Sequence, residues 1–172
     1  MIKDYITGQK IPDVGAERHR QEVERFLVEE KGYAKKDVAV DVPIAFEVAG
    51  EAYRSVVDLV VSPDGGQTRF MAVKCAAASL GSREREILAA ARLLDKFQVP
   101  FCLVSDGRRA ILLDTLTGAH VGESWDAVPT KQQAAKQLQH LELKPLPEDR
   151  REKTRLIFRS YDSQNVNVAR NL

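Results

Sequence analysis

Two charged residues lie inside consecutive apolar segments, where charges are rare. Asp58 is in "SVVDLVV" and Lys74 is in "FMAVKCA". Burying a charge is costly unless another group binds it. Carboxylates are ligands that Mg²⁺ prefers, and a bound Mg²⁺ activates water and stabilises charge on a phosphodiester. A neighbouring lysine can orient that water or offset the developing negative charge. The two residue types therefore suit a metal-dependent phosphodiesterase site.

The secondary-structure pattern predicts how these residues are positioned. Apolar spacing predicts a helix at roughly residues 16–31. Three strands follow in "VAVDVPIAFEV", "YRSVVDLVV" and "TRFMAVKCA", then a helix in "SREREILAAARLLDKF" and two short strands in "VPFCLVSDG" and "RRAILLDTLTG". The strand, helix, strand order requires a crossover connection. The predicted fold class is α/β (α+β), a mixed central sheet flanked by helices, with Asp58 and Lys74 on adjacent strands.

The composition changes near residue 129. The 172 residues suit one compact domain. From Pro129 the chain is charged and rich in glutamine, with two predicted helices interrupted at "KPLPED". We therefore predict a domain at residues 1–128 and a helical C-terminal extension at residues 129–172, whose last ten residues are expected to fray.

Charge and cysteine content limit the possible functions. Lys and Arg number 26 and Asp and Glu 25, a net charge of +1, so any nucleic-acid surface must be local. The charged N-terminus "MIKDYITGQK" has no apolar segment typical of a signal peptide or membrane span, which predicts a cytoplasmic protein without membrane contact. Cys75 and Cys102 have no zinc-ligand spacing.

Four segments together carry a family resemblance: "DYITGQKIPDVGAERHRQEVERFLVEEKGY", "YRSVVDLVV", "FMAVKCAAAS" and "EREILAAARLLDKFQVPFCLVSDGRRAILLDTLTG". They resemble the N-terminal nuclease domain of the restriction (R) subunit of type I restriction enzymes, within the PD-(D/E)XK nuclease superfamily. The resemblance implies a restriction-endonuclease-like core of α-β-β-β-α-β order. It also implies DNA as a partner, and protein partners in a restriction-modification assembly. The helicase motor of such subunits needs a GxxxxGK[ST] loop, which this sequence lacks. The chain is therefore expected to be either a stand-alone homologue of the domain, which is favoured, or a piece of a larger protein.

The resemblance also assigns roles to individual residues. It makes Asp58 and Glu17 the Mg²⁺ ligands, and it makes Asp58, Lys74 and Glu17 the catalytic residues. Glu86, or else Glu84, falls where related members place a glutamine on the helix after the motif. Glu86 is therefore assigned an auxiliary role.

The sequence departs from the family motif at Ala72, where Glu or Asp is required. Alanine cannot coordinate a cation, so one of the two central ligands is missing, and both the charge and the ligand number that tune affinity are reduced. Activity would then need a carboxylate from another element, for which Glu17, Glu47 and Asp64 are candidates. It could otherwise use waters and the Val73 carbonyl, or a different arrangement.

Two functional hypotheses follow from this departure. The first is a Mg²⁺-dependent DNA endonuclease-like domain with an incomplete motif. The second is a non-catalytic nucleic-acid-binding or assembly module that keeps the nuclease fold, in which Asp58 forms a structural ion pair with Lys74 or Arg54.

A set of arginines lies near predicted strand or helix ends close to the candidate site. On one face they could hold phosphates without reading sequence, and they could otherwise be ordinary solvated surface. The set is Arg54, Arg83, Arg85, Arg108 and Arg109.

Overall fold

The computed structural model describes residues 1–163 and has a mixed α/β architecture. Its strands are β1 (Ile2–Lys3), β2 (Lys10–Ile11), β3 (Val38–Val48), β4 (Glu51–Val61), β5 (Met71–Cys75), β6 (Phe101–Ser105), β7 (Ala110–Asp114) and β8 (His120–Gly122). Its α-helices are α1 (Glu17–Arg25), α2 (Glu84–Leu93), α3 (Lys131–Leu138) and α4 (Glu148–Asp162). A π-helical turn, Phe26–Glu30, continues α1, so the predicted first helix is confirmed.

The central sheet has six strands in the order β3, β4, β5, β6, β7, β8. Strands β5 and β6 are parallel and are joined through α2, whereas the other neighbours are antiparallel. The predicted mixed sheet with one crossover is therefore confirmed. Strands β1 and β2 form a separate ribbon. They and β8 were not predicted, because two or three residues are too few to show periodicity.

A tight turn fixes the register of the long hairpin of β3 and β4. Val48 pairs with Glu51, and the two residues between them, Ala49 and Gly50, have φ of 51° and 77°. Two positive φ values are typical of the turns that match the twist of antiparallel strands. The turn aligns the two strands over their whole length, which places Asp58 of β4 opposite Asp41 of β3, between the pairs Val40–Leu59 and Val42–Val57.

Each face of the sheet has its own apolar core. On one face Met71, Val73 and Cys75 of β5 pack in a cluster that includes α1. On the other face Ala72 packs in a cluster with Ile87 of α2 and Phe158 of α4. The alternation follows from the strand geometry, in which successive side chains point to opposite faces. Lys74, two residues after Ala72, therefore lies on the α2 face.

The C-terminal region contains the two predicted helices. Thr130 caps α3 by accepting from the Gln133 backbone N–H at 3.2 Å, and α4 begins after Pro147. Helix α4 packs against α2 and β3. The division at residue 129 stays a prediction, and the expected fraying lies outside the described residues except for Ser163. Within residues 1–163, none of the helices combines the length and apolar character needed to cross a bilayer.

Candidate functional site

Asp58 and Lys74 meet on the α2 face of the sheet. The Lys74 Nζ lies 3.8 Å from Asp58 Oδ2. The antiparallel register pairs Leu59 with Val73, which brings the two residues to neighbouring positions on adjacent strands. The Asp58 side chain is 2% exposed, and its Oδ2 accepts the Cys75 backbone N–H at 2.8 Å. The ammonium and this N–H together stabilise a carboxylate that burial alone would disfavour.

A second carboxylate reaches Lys74 from α2. Glu86 Oε1 lies 3.6 Å from Lys74 Nζ, and Glu86 Oε2 lies 3.8 Å from Arg83 Nη1. Glu86 is as deeply buried as Asp58, whereas the Lys74 side chain is 16% exposed. Acids and bases therefore alternate through Asp58, Lys74, Glu86 and Arg83. These four residues are called the lysine cluster below.

The lysine cluster borders a cavity of about 10 Å³, which is about the volume that a single water needs. Asp58, Lys74 and Glu86 line one part of it, and Ile87 of α2 and Phe158 of α4 line another. Phe158 is itself buried. A cavity of this size does not admit a phosphodiester in the conformation observed.

Ala72 offers no ligand to this site. Its side chain is fully buried, and it pairs with Val60 of β4 in the antiparallel register. The other carboxylates considered from the sequence are occupied elsewhere or exposed. Asp64 accepts the backbone N–H groups of Gln67 and Thr68 in its own loop, and Glu47 is exposed on β3 near the hairpin turn.

Glu17 belongs to a set of charged residues built around Arg20. The Arg20 guanidinium lies 2.7 Å from Glu17, 3.0 Å from Asp41 and 3.3 Å from Asp4, although it is only 2% exposed. The fully buried Glu24 lies one helical turn further along α1. These five residues are called the arginine cluster below.

The arginine cluster perturbs the ionisation of its members. Burial tends to lower the pKa of Arg20, but the carboxylates of Asp41, Glu17, Glu24 and Asp4 raise it above its ordinary value. Burial, followed by the nearby Asp4 charge, raises the pKa of Glu24 to about 8. Burial acts in the same direction on Asp4, but its pKa is lowered overall by hydrogen bonds from Thr7 and Gln21.

Cys75 links the two clusters. Burial raises the pKa of its thiol, with a further increase from the Asp58 charge, while Arg20 and Lys74 act in the opposite direction. Asp41 makes a second link, because it contacts Arg20 and lies opposite Asp58 in the strand register. Its backbone is left-handed, with φ of 52°, a strained conformation for a residue other than glycine.

The predicted basic residues lie along the edge where β5 and β6 end. Arg109 pairs with Asp106 at 2.8 Å, and its Nη2 also donates to the Ala78 carbonyl. Arg54 lies on β4 before Asp58, in the part of the strand that extends past the end of β5. Arg85 and Arg108 are exposed like Arg54, whereas Arg83 is half-buried beside Glu86.

Sequence reasoning missed most of the arginine cluster. Arg20, Asp4, Glu24 and Asp41 were not singled out. A signal was present, because Glu17, Arg20 and Glu24 recur at helical spacing in "ERHRQEVERF" beside apolar Val23. Residues at this spacing are neighbours on a helix, so Glu17 and Arg20 were placed to form the ion pair that the structure shows.

Comparison with protein families gave one match. The family model described as "Type I restriction enzyme R protein N terminus" matches residues 15–129, about two thirds of the chain. Neither the curated proteins nor the solved structures gave a significant match. The matched residues include α1, the β3–β4 hairpin, Lys74 and α2. This chain therefore belongs to the family of type I restriction enzyme R protein N-terminal domains.

Proposed function

We propose that this domain binds DNA along the edge where β5 and β6 end, and that it does not cleave DNA by a metal-dependent mechanism. Ala72 is the observation that supports the absence of metal-dependent cleavage. It occupies the motif position that needs a carboxylate, and it is buried in an apolar cluster. Family membership supports DNA binding. It also implies a further class of partner, the other proteins of a restriction-modification assembly.

The residues present fit Mg²⁺ poorly. Mg²⁺ demands six oxygen ligands in near-octahedral geometry. Asp58 and Glu86 each lie beside Lys74 and are already contacted by that ammonium. Over residues 1–163, no three His, Cys, Asp or Glu side chains are grouped so that they could hold a metal ion. The donor set therefore supports no metal-dependent step.

The exposed arginines support binding to phosphates. Arg54 and Arg108 lie at the proposed edge, and contacts from such residues position a protein on DNA without reading its sequence. The charge is local, since the whole chain carries a net +1. Binding is therefore expected to depend strongly on salt and weakly on sequence.

A plasmid assay tests the absence of cleavage. Supercoiled DNA is incubated with the purified protein and Mg²⁺ or Mn²⁺, with an EDTA control. The expected result is no nicking beyond that control, for the wild type and for Lys74→Ala alike. Metal-dependent nicking by the wild type that Lys74→Ala abolishes would contradict the proposal. It would support the endonuclease hypothesis, with Glu86 as the replacement carboxylate.

Fluorescence anisotropy with a labelled duplex tests DNA binding. Arg54→Ala and Arg108→Ala are each expected to weaken binding to the same extent for duplexes of unrelated sequence. Each should also reduce the slope of log affinity against log salt concentration by about one. Lys96→Ala is the matched control, because Lys96 lies between α2 and β6 at the opposite edge of the sheet. Equal losses from all three variants, or no wild-type binding, would overturn the proposed surface.

A further inference from the structure

We infer that the ammonium of Lys74 is the resident cation of the candidate site, taking the place of a metal ion between Asp58 and Glu86, and that α4 seals it there. This inference rests on the proposed absence of metal-dependent cleavage. It goes further by assigning the lysine cluster a structural role that the loss of the acid at position 72 permits.

The geometry of Lys74 supports its role as the resident cation. One Nζ lies 3.8 Å from a carboxylate on β4 and 3.6 Å from a carboxylate on α2. It therefore joins two elements that are separate in sequence, as a metal ion between the same oxygens would. Two buried carboxylates need such a partner, because an uncompensated buried charge is strongly destabilising.

The formal charges explain why Ala72 matters. Within the lysine cluster, the charges of Asp58 and Glu86 are balanced by those of Lys74 and Arg83. With a third carboxylate at position 72, the five residues together would carry one excess negative charge. A bound cation would then be needed, whereas with alanine the cluster is neutral by itself.

Helix α4 carries the second half. Phe158 lines the cavity beside Lys74, and the Asp162 carboxylate accepts hydrogen bonds from Tyr53 and Ser55 of β4. Nearer its start, Glu152 accepts the Ala49 backbone N–H at the hairpin turn. This helix lies beyond residue 129, where the family match ends. The closure is thus supplied by the part of the chain outside that match.

Thermal unfolding with and without millimolar Mg²⁺ or Mn²⁺ tests the inference on the full chain. Lys74→Met is expected to lower Tm by roughly 5–10 °C in metal-free buffer. Added metal is expected to restore about 3–6 °C, because two carboxylates are left without their ammonium. The Tm of the wild type is expected to be insensitive to either metal.

Lys131→Met is the matched control. Its ammonium lies 2.8 Å from one buried carboxylate, Asp37, at a different site. Loss of that pair is expected to lower Tm without creating a response to metal. Lys74→Gln provides a second variant, with a neutral polar side chain, in case Lys74→Met does not fold.

The outcomes separate this inference from the proposed function. A wild-type Tm that rises with metal would overturn both. A wild type insensitive to metal, together with Lys74 variants that are also insensitive, would overturn the resident-cation role alone. The seal is checked by acetylation and mass spectrometry: Lys74 should react more slowly than Lys131 in the wild type and faster in Phe158→Ala. Equal reactivity of Lys74 in both proteins would overturn the role of α4.

Discussion

The lysine cluster and the arginine cluster both contain buried carboxylates, but they balance their charges differently. In the lysine cluster two carboxylates meet two cations, Lys74 and Arg83. In the arginine cluster four carboxylates surround one guanidinium, that of Arg20. The first cluster joins α2 to the sheet, and the second joins α1 to β3 and to the N-terminal ribbon.

The difference shows how a buried excess of acid is accommodated. One guanidinium cannot neutralise four carboxylates, and the pKa of Glu24 rises to about 8 under burial and the Asp4 charge. A proton on Glu24 at neutral pH then removes one of the three negative charges that Arg20 leaves uncompensated. The formal charges of the lysine cluster already balance, so it needs no such proton. We therefore expect the stability of the α1 side to depend on pH more than that of the α2 side.

Replacing Arg20 is expected to have the largest effect. Arg20→Met leaves four carboxylates near one another without their cation, which should lower the free energy of unfolding by about 3–5 kcal/mol. Urea denaturation measures this change. Arg20→Lys is the control, and its smaller loss should reflect the replacement of a guanidinium that reaches several carboxylates by a single ammonium. A change below about 1 kcal/mol for Arg20→Met would show that these acids do not depend on the guanidinium.

Adding an acid to the lysine cluster tests its balance. Ala72→Glu is expected to lower the free energy of unfolding by about 2–3 kcal/mol, because a carboxylate enters an apolar cluster. Mg²⁺ should restore part of this loss, since the site would then hold three carboxylates. Ala72→Met has similar bulk without the charge and should show no response to Mg²⁺. The same response in both variants would contradict the charge argument.

Glu24→Gln tests the buried proton. The folded pKa of Glu24, about 8, lies above its ordinary value of 4.5. The folded state therefore retains a proton that the unfolded state loses, and the associated stability is full below pH 4.5 and is lost as the pH rises to about 8. Glutamine removes this dependence. As the pH rises across this range, the free energy of unfolding of the variant should increase by about 1–3 kcal/mol relative to that of the wild type.

The pH dependence is measured by urea denaturation of both proteins near each end of the range. Comparison with the wild type largely cancels the contribution of the other titratable groups. A difference between the two proteins that does not change with pH would show that Glu24 is not protonated in the folded state.

The smallest expected effect is at the end of α4. Asp162→Asn weakens the hydrogen bonds from Tyr53 and Ser55 and should cost about 1 kcal/mol. Burial and the hydrogen bond to Asp162 raise the pKa of Tyr53, so the variant should also lower that pKa, measured by tyrosinate absorbance. Ser160→Ala, at an exposed position of α4, should change neither quantity. An unchanged Tyr53 pKa would contradict the assigned contact.

The sequence predicted the long elements well and the short ones poorly. The strand containing Asp58 and the strand containing Lys74 have short apolar runs typical of buried strands, and α2 has clear helical spacing. Strands β1, β2 and β8 are too short to show such a pattern. The arginine cluster was missed as a whole because helical spacing relates only its α1 members to one another, whereas Asp4 and Asp41 come from distant segments that have no local signature of the pairing.

The sequence by itself determined the family, the mixed sheet and the absence of an acid at position 72, because each depends on residue identity and local periodicity. Only the tertiary structure decided that Lys74 lies between two carboxylates, and that Phe158 of α4 lines the same small cavity. These contacts depend on strand register, on the face to which each side chain points and on how α4 packs across α2. They are set by the packing of the whole chain and not by any one segment.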